Sequence, residues 1–113
     1  MNLNLKDKVI VVTGGAKGIG LGICQVLAAE GAIPFIIGRN ETDNIKAVKE
    51  IEANGGRAKY TQAELTNPED CKNAIQQVIT QCGQIDGLVN NAGVNDGVGL
   101  ESGNYDSFMA SLH

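Results

Sequence analysis

The chain is 113 residues long, 42% hydrophobic and 19% charged, with a net charge of −4. That suffices for one globular domain with a modest core, and it is not the composition of a disordered segment. Lys and Arg are scattered without a basic stripe, no apolar run approaches the roughly 20 residues of a membrane span, and the opening MNLNLKDK lacks the apolar core of a secretory signal; nucleic-acid binding, membrane insertion and secretion are therefore disfavoured, and a cytoplasmic location is expected.

KVIVVTG (8–14) is a short β-branched run that ends at glycine, the pattern of a strand buried on both faces. A helical pattern follows, with Ile19, Ile23, Val26 and Leu27 expected on its core side and Gly31 as its stop. AIPFIIG (32–38) reads as a second buried strand, and Pro34 near its start predicts incomplete pairing there. NETDNIKAVKEIEANGG reads as an amphipathic helix, capped by Thr42 or Asp43, with Ile45, Val48 and Ile51 inward and Asn54-Gly55-Gly56 as its end.

RAKYTQAEL alternates imperfectly and predicts a weaker strand. TNPED is a helix start, with Thr66 or Asn67 as cap, Pro68 in the first turn and acids beside the positive end of the dipole. That helix runs to about Cys82-Gly83, with Cys71, Ile75, Val78, Ile79 and Cys82 on one stripe. DGLVNNAG (86–93) reads as a fourth strand and its exit; a glycine-rich loop and the opening of another helix follow. The three cysteines, Cys24, Cys71 and Cys82, form no CxxC pair, and the one histidine is His113, so they read as small packing residues and no metal site is expected. Strands alternating with helices predict an α/β parallel sheet with right-handed crossovers.

VVTGGAKGIGLG (11–22) carries five glycines at the first strand-to-helix turn. Glycines there permit a tight turn, bring backbone N–H groups close to a phosphate, and let helix and strand approach; the helix N-terminus adds unpaired N–H groups and a partial positive charge. Gly14, Gly18 and Gly20 meet that need. No G-K-[S/T] follows, which argues against a P-loop and against an ATP-binding or flavodoxin-like sheet. The second strand ends in Gly38-Arg39-Asn40 without an acid. An acid at that point suits the ribose 2′-hydroxyl of NAD, and an Arg suits the 2′-phosphate of NADP. Arg39, with Lys17 as a second cation, favours NADP(H); an Arg that stacks on adenine or faces solvent is the alternative.

TGGAKGIG (13–20) followed by NNAG (90–93), with the leader LKDKVIVVTGG, resembles the short-chain dehydrogenase/reductase family over essentially the whole chain. The resemblance implies the cofactor half of a Rossmann-like doubly wound sheet, strand order 3-2-1-4. It implies a pyrophosphate lined by Gly14, Gly18, Ile19 and Gly20, and an adenine flanked by Glu64 and Leu65, where the family carries Asp rather than Glu. Asn90, Ala92 and Gly93 would pass beside the ribose and steady the next strand. NNAG as a bare strand-ending turn, and Glu64 as a solvated acid, are the plainer alternatives.

The family's chemistry rests on a Tyr-x-x-x-Lys pair with a Ser, and here Tyr60 is followed at that spacing by Glu64 and Tyr105 by Met109. The expectation is therefore a partial NAD(P)-binding domain over 1–113, cut before the catalytic segment, with an apolar fourth-strand edge. Its parent would be an NAD(P)-dependent enzyme that interconverts an alcohol and a carbonyl, a homo-oligomer when intact; the chain alone would be inactive. GVNDGVGLESG resembles sugar-oxidising members such as L-fucose dehydrogenases, with 3-oxoacyl carrier-protein reductases as the alternative. A rival from another class is a non-enzymatic dinucleotide sensor that dimerises through the open edge.

Overall fold

A computed structural model describes residues 4–91. Its elements, in chain order, are β1 (Val9–Thr13), α1 (Gly18–Ala29), β2 (Ile33–Gly38), α2 (Glu41–Ala53), β3 (Lys59–Gln62), α3 (Pro68–Cys82) and β4 (Gly87–Asn90). The loop and helix expected after NNAG, with Ala92 and Gly93, lie outside the described residues.

All strand pairs are parallel, in the order β3-β2-β1-β4. This is the α/β, Rossmann-like half expected from the sequence. Because side chains alternate along a strand, β1 and β2 feed two cores at once. Val9, Val11, Phe35 and Ile37 pack with Cys71, Ala74, Ile75 and Val78 of α3 on one face. Ile10, Val12 and Ile36 pack with Cys24 of α1 and with Ala47 and Ile51 of α2 on the other. Helices on both faces explain why β1 and β2 read as unbroken apolar runs. Pro34 is buried opposite Ile10, while the β3 pairing of β2 starts one residue later, at Phe35. The missing N–H of Pro34 thus falls outside that ladder.

The helix ends follow their local chemistry. Gly31, Gly55 and Gly83 have φ of 89°, 87° and 78°, so each helix stops at a left-handed glycine. The Asn67 side chain caps α3 by accepting from the N–H groups of Glu69 and Asp70, at 2.9 and 3.3 Å. The cap of α2 is Asn40, which accepts from Asp43 N–H at 3.1 Å; neither Thr42 nor Asp43 caps it. Asn40 keeps extended backbone (φ −104°, ψ 109°), as an N-cap requires, so the helix begins at Glu41 and takes Thr42 and Asp43 into its first turn.

Two expected faces are rotated, those of α1 and α2. In α1 the buried positions are Gly20 and Cys24, with Leu21, Leu27 and Ala28 packed beside them, while Ile19 is 77% and Val26 62% exposed. Gly20 must face β1 because a side chain there would collide with the Gly14 carbonyl; that contact turns the helix and sends Ile19 outward. In α2 the buried stripe is Asn44, Ala47 and Ile51, and Ile45 is only partly covered. Asn44 is tolerated in the core because its Nδ2 donates to the Gly38 carbonyl at 2.9 Å. The α3 stripe lies as expected, with Cys71, Ile75 and Val78 buried and Cys82 packed beside them; Ala74 joins it and Ile79 is exposed.

Candidate functional site

In a parallel sheet every strand ends on the same side. The C-terminal ends of β1, β2, β3 and β4 therefore bring Gly14, Arg39, the Glu64-Leu65 pair and Asn90 to one edge of the molecule. Ligands of open α/β sheets sit at this edge.

At its centre is the turn from β1 to α1. Gly14 and Gly18 have φ of 66° and 56°, which only glycine adopts without strain. Gly15 is barred from carrying a side chain for a different reason. A Cβ there would lie 2.9 Å from Cys24 Sγ and 3.2 Å from Ile36 and Val12, so the turn lies flat on the core. Gly20 lets α1 close on the Gly14 carbonyl. The first intrahelical bond runs from Leu21 N–H to Lys17 O at 3.2 Å. The N–H groups of Gly18, Ile19 and Gly20 precede it and have no carbonyl four residues back to meet. Lys17 is the N-cap, makes no side-chain capping bond, and no acid occupies the first turn. By contrast, α2 and α3 each have an Asn cap and two acids in the first turn. The uncapped, acid-free start of α1 offers both partial positive charge and free donors to an anion.

The TGG and NNAG segments meet through side chains. Thr13, fully buried, donates its hydroxyl to Asn90 Oδ1 at 2.9 Å and accepts from Asn91 N–H at 2.9 Å. Asn91 Nδ2 donates to the Gly14 carbonyl at 3.3 Å. The Gly14 N–H donates to Ile37 O at 2.9 Å. The glycine turn is thus fixed from both neighbouring strands.

The corner beside β2 carries the charge. Lys17 Nζ lies 3.0 Å from Asp43 Oδ2, bridging the start of α1 to the start of α2. Arg39 is exposed; its carbonyl accepts from Gln62 Nε2 at 3.0 Å, and its guanidinium forms no ion pair among the described residues. The Gly38 carbonyl accepts from both Ala63 N–H, at 3.1 Å, and Asn44 Nδ2. Asn44 Oδ1 is buried without a partner. It fills the space that a side chain on residue 38 would need.

Beyond β3, Glu64 is exposed, with its N–H bonded to Asp70 Oδ2 at 2.9 Å and its carboxylate accepting from Thr66 Oγ1 at 3.4 Å. Leu65 packs partly into the core, and its carbonyl accepts from Cys71 Sγ at 3.3 Å. The cysteines are not arranged as nucleophiles. Burial pushes the Cys24 thiol up to about 12. Burial, then the charges of Asp70 and Glu64, raise Cys71. Burial raises Cys82 against an opposing pull from Lys59. No metal-ligating group of three or more side chains occurs among the described residues, and no helix there is long and apolar enough to cross a membrane.

Thr13, Gly15, Asn40, Asp43, Asn44 and Asn91 were not singled out from sequence as parts of the site. Asn40 alone had a legible signal, an Asn followed by Glu-Thr-Asp at a helix start. Thr13, Asp43 and Asn91 act through contacts between segments distant in sequence, and Gly15 and Asn44 through contacts that form only once strand and helix pack.

The profile described as short chain dehydrogenase matches residues 8–113. The chain belongs to the short-chain dehydrogenase family. Cyclopentanol dehydrogenase of Comamonas sp. is 40% identical over 90 residues, which are 80% of this chain and 36% of that protein. Among solved structures, L-sorbose reductase from Gluconobacter frateurii, complexed with NADPH and L-sorbose, matches with a TM-score of 0.79 and 32% identity. The match covers 82% of this chain and 36% of that one. A metagenomic short-chain oxidoreductase in complex with NADP matches with a TM-score of 0.75 and 34% identity, over 80% of this chain and 41% of that one. The chain thus spans about a third of the length of the curated relatives it matches.

Proposed function

We propose that this chain is the dinucleotide-binding half of an NAD(P)-dependent oxidoreductase that interconverts an alcohol, a sugar hydroxyl included, with its carbonyl. The observation that carries the reading is the uncapped, acid-free start of α1 at the C-terminal end of β1, where Gly15 lets the turn lie on the core and Gly20 lets the helix close on it. The residues present fit a nicotinamide dinucleotide: donors and a positive dipole end for the pyrophosphate, and a cation corner beside it.

In this reading the backbone N–H groups of Gly18, Ile19 and Gly20 hold the pyrophosphate, and Gly14 keeps the turn open for it. Arg39 and Lys17 border the adenosine ribose, and the exposed Arg39 guanidinium suits a 2′-phosphate, so NADP(H) is the better ligand. Glu64 and Leu65 flank the adenine. Asn90, with Ala92 and Gly93 beyond it, borders the ribose and ties β4 to Thr13. The bound nicotinamide would supply hydride chemistry; what these residues supply is position and charge compensation. NADPH and NADP in the solved relatives support the cofactor class.

The 113 residues hold no Tyr-x-x-x-Lys pair, so the chain alone binds cofactor without turning over substrate. Titration of the chain into NADPH, followed by nicotinamide fluorescence, tests this. Saturable binding, competed by NADP and unaccompanied by hydride transfer to carbonyl substrates, is expected. Absence of saturable binding would overturn the cofactor reading. Turnover by the verified 113-residue chain would overturn the half-domain reading.

A further inference from the structure

NAD and NADP differ at the adenosine ribose, where NADP carries a phosphate with about −1.5 to −2 charge at neutral pH. Under the reading above, that group comes to the corner between the β1–α1 turn and the start of α2. The cation there is not free. Lys17 is the N-cap of α1 with extended backbone (φ −143°, ψ 160°), and its side chain crosses to α2 instead of folding over its own helix. It ends on Asp43, 3.0 Å away. The backbone N–H of Asp43 donates to the Asn40 cap and its side chain is three-quarters shielded, whereas Lys17 remains largely exposed. Asp43 balances the charge of Lys17, and the α2 first turn carries a second acid, Glu41, two residues after Arg39.

We infer that Asp43 is the specificity-determining residue of this corner, restraining the preference for NADP(H) by occupying and neutralising Lys17. This rests on the cofactor reading proposed above. A 2′-phosphate arriving at the corner must share Lys17 with a largely shielded carboxylate and meets that carboxylate's own repulsion. A 2′-hydroxyl meets neither obstacle. Arg39 therefore carries most of the NADP preference and Lys17 little of it. The native chain accepts both dinucleotides with a modest preference for the phosphorylated one.

The test is binding of NADPH and NADH by the chain and its variants, by nicotinamide fluorescence at low and high salt, with folding checked by circular dichroism. Asp43→Asn keeps the side-chain shape and removes the charge. The NADPH-to-NADH affinity ratio should rise about five- to tenfold, the size expected for one unit charge across a partly screened corner, and the gain should shrink at high salt. Lys17→Met should change the ratio less than about threefold in the native background but by about five- to tenfold beside Asp43→Asn, because only there is the ammonium released. A folded Asp43→Asn variant with an unchanged or lower ratio would overturn the inference while leaving the cofactor reading intact. Failure of the native chain and every variant to bind either dinucleotide would overturn both.

Discussion

Replacing Gly20 with alanine separates packing from helix propensity at the heart of the glycine turn. Alanine normally stabilises a helix over glycine by about 0.5–1 kcal/mol. At residue 20 its methyl would overlap the Gly14 carbonyl oxygen and lie 2.8 Å from Asn91 Nδ2 and 2.9 Å from the Gly14 carbonyl carbon. Gly14 cannot yield freely, since its N–H is bonded to Ile37 O at 2.9 Å and its carbonyl accepts from Asn91. Overpacking against a fixed backbone costs about 1–3 kcal/mol. With the clash at the upper end and the propensity gain subtracted, a net loss of about 2 kcal/mol follows. For a domain of this size that lowers Tm by roughly 10 °C. Gly22, two residues on, has open space where its Cβ would stand. Gly22→Ala should therefore raise stability by about 0.5–1 kcal/mol. Urea unfolding followed by circular dichroism compares the three chains. A Gly20→Ala variant as stable as the native chain would refute the close approach of α1 to the turn, and with it the shape assigned to the site.

Thr13→Val keeps volume but removes the hydroxyl that joins Asn90 and Asn91; urea unfolding should show a loss of about 2 kcal/mol, two buried hydrogen bonds at about 1 each. Asn67→Ala removes the α3 cap and should cost about 1 kcal/mol by the same measurement. Burial raises the Cys24 thiol from 9.0 to about 12, so the neutral thiol is favoured in the folded chain. The stability this gives is fully present below pH 9.0 and is lost as pH rises towards about 12. The difference in unfolding free energy between the native chain and Cys24→Ala should shrink across that window, and a difference independent of pH would contradict the burial of Cys24.

The sheet was legible because β1 and β2 are apolar on both faces and each helix ends in a left-handed glycine, signals that sit within a few residues of one another. Asn67 at the α3 start was legible for the same reason. The α3 stripe was legible too, whereas the faces of α1 and α2 were not. Counting apolar residues put Ile19 and Val26 inward, but the approach of Gly20 to Gly14 decides the rotation of α1, and the smallest residues make the closest contact. Asn44 was hidden because its partner, the Gly38 carbonyl, becomes available only where β2 ends against α2. The glycine turn itself was legible as an anion site, since its chemistry is backbone chemistry. Its fastening to Asn90 and Asn91 joins residues 77 and 78 positions apart, and no local pattern carries that. The Lys17–Asp43 pair was hidden in the same way, which is why Lys17 read from sequence as a free cation.

The measurement that tests the central claim most directly is an amide NMR titration of the chain with NADPH. The expected result is saturable shifts concentrated at Gly14 to Gly20, Arg39, Asn40, Glu64, Leu65 and Asn90, with the α3 helix quiet. Saturation with shifts confined to other surfaces, or no shifts at all, would contradict dinucleotide binding at the start of α1.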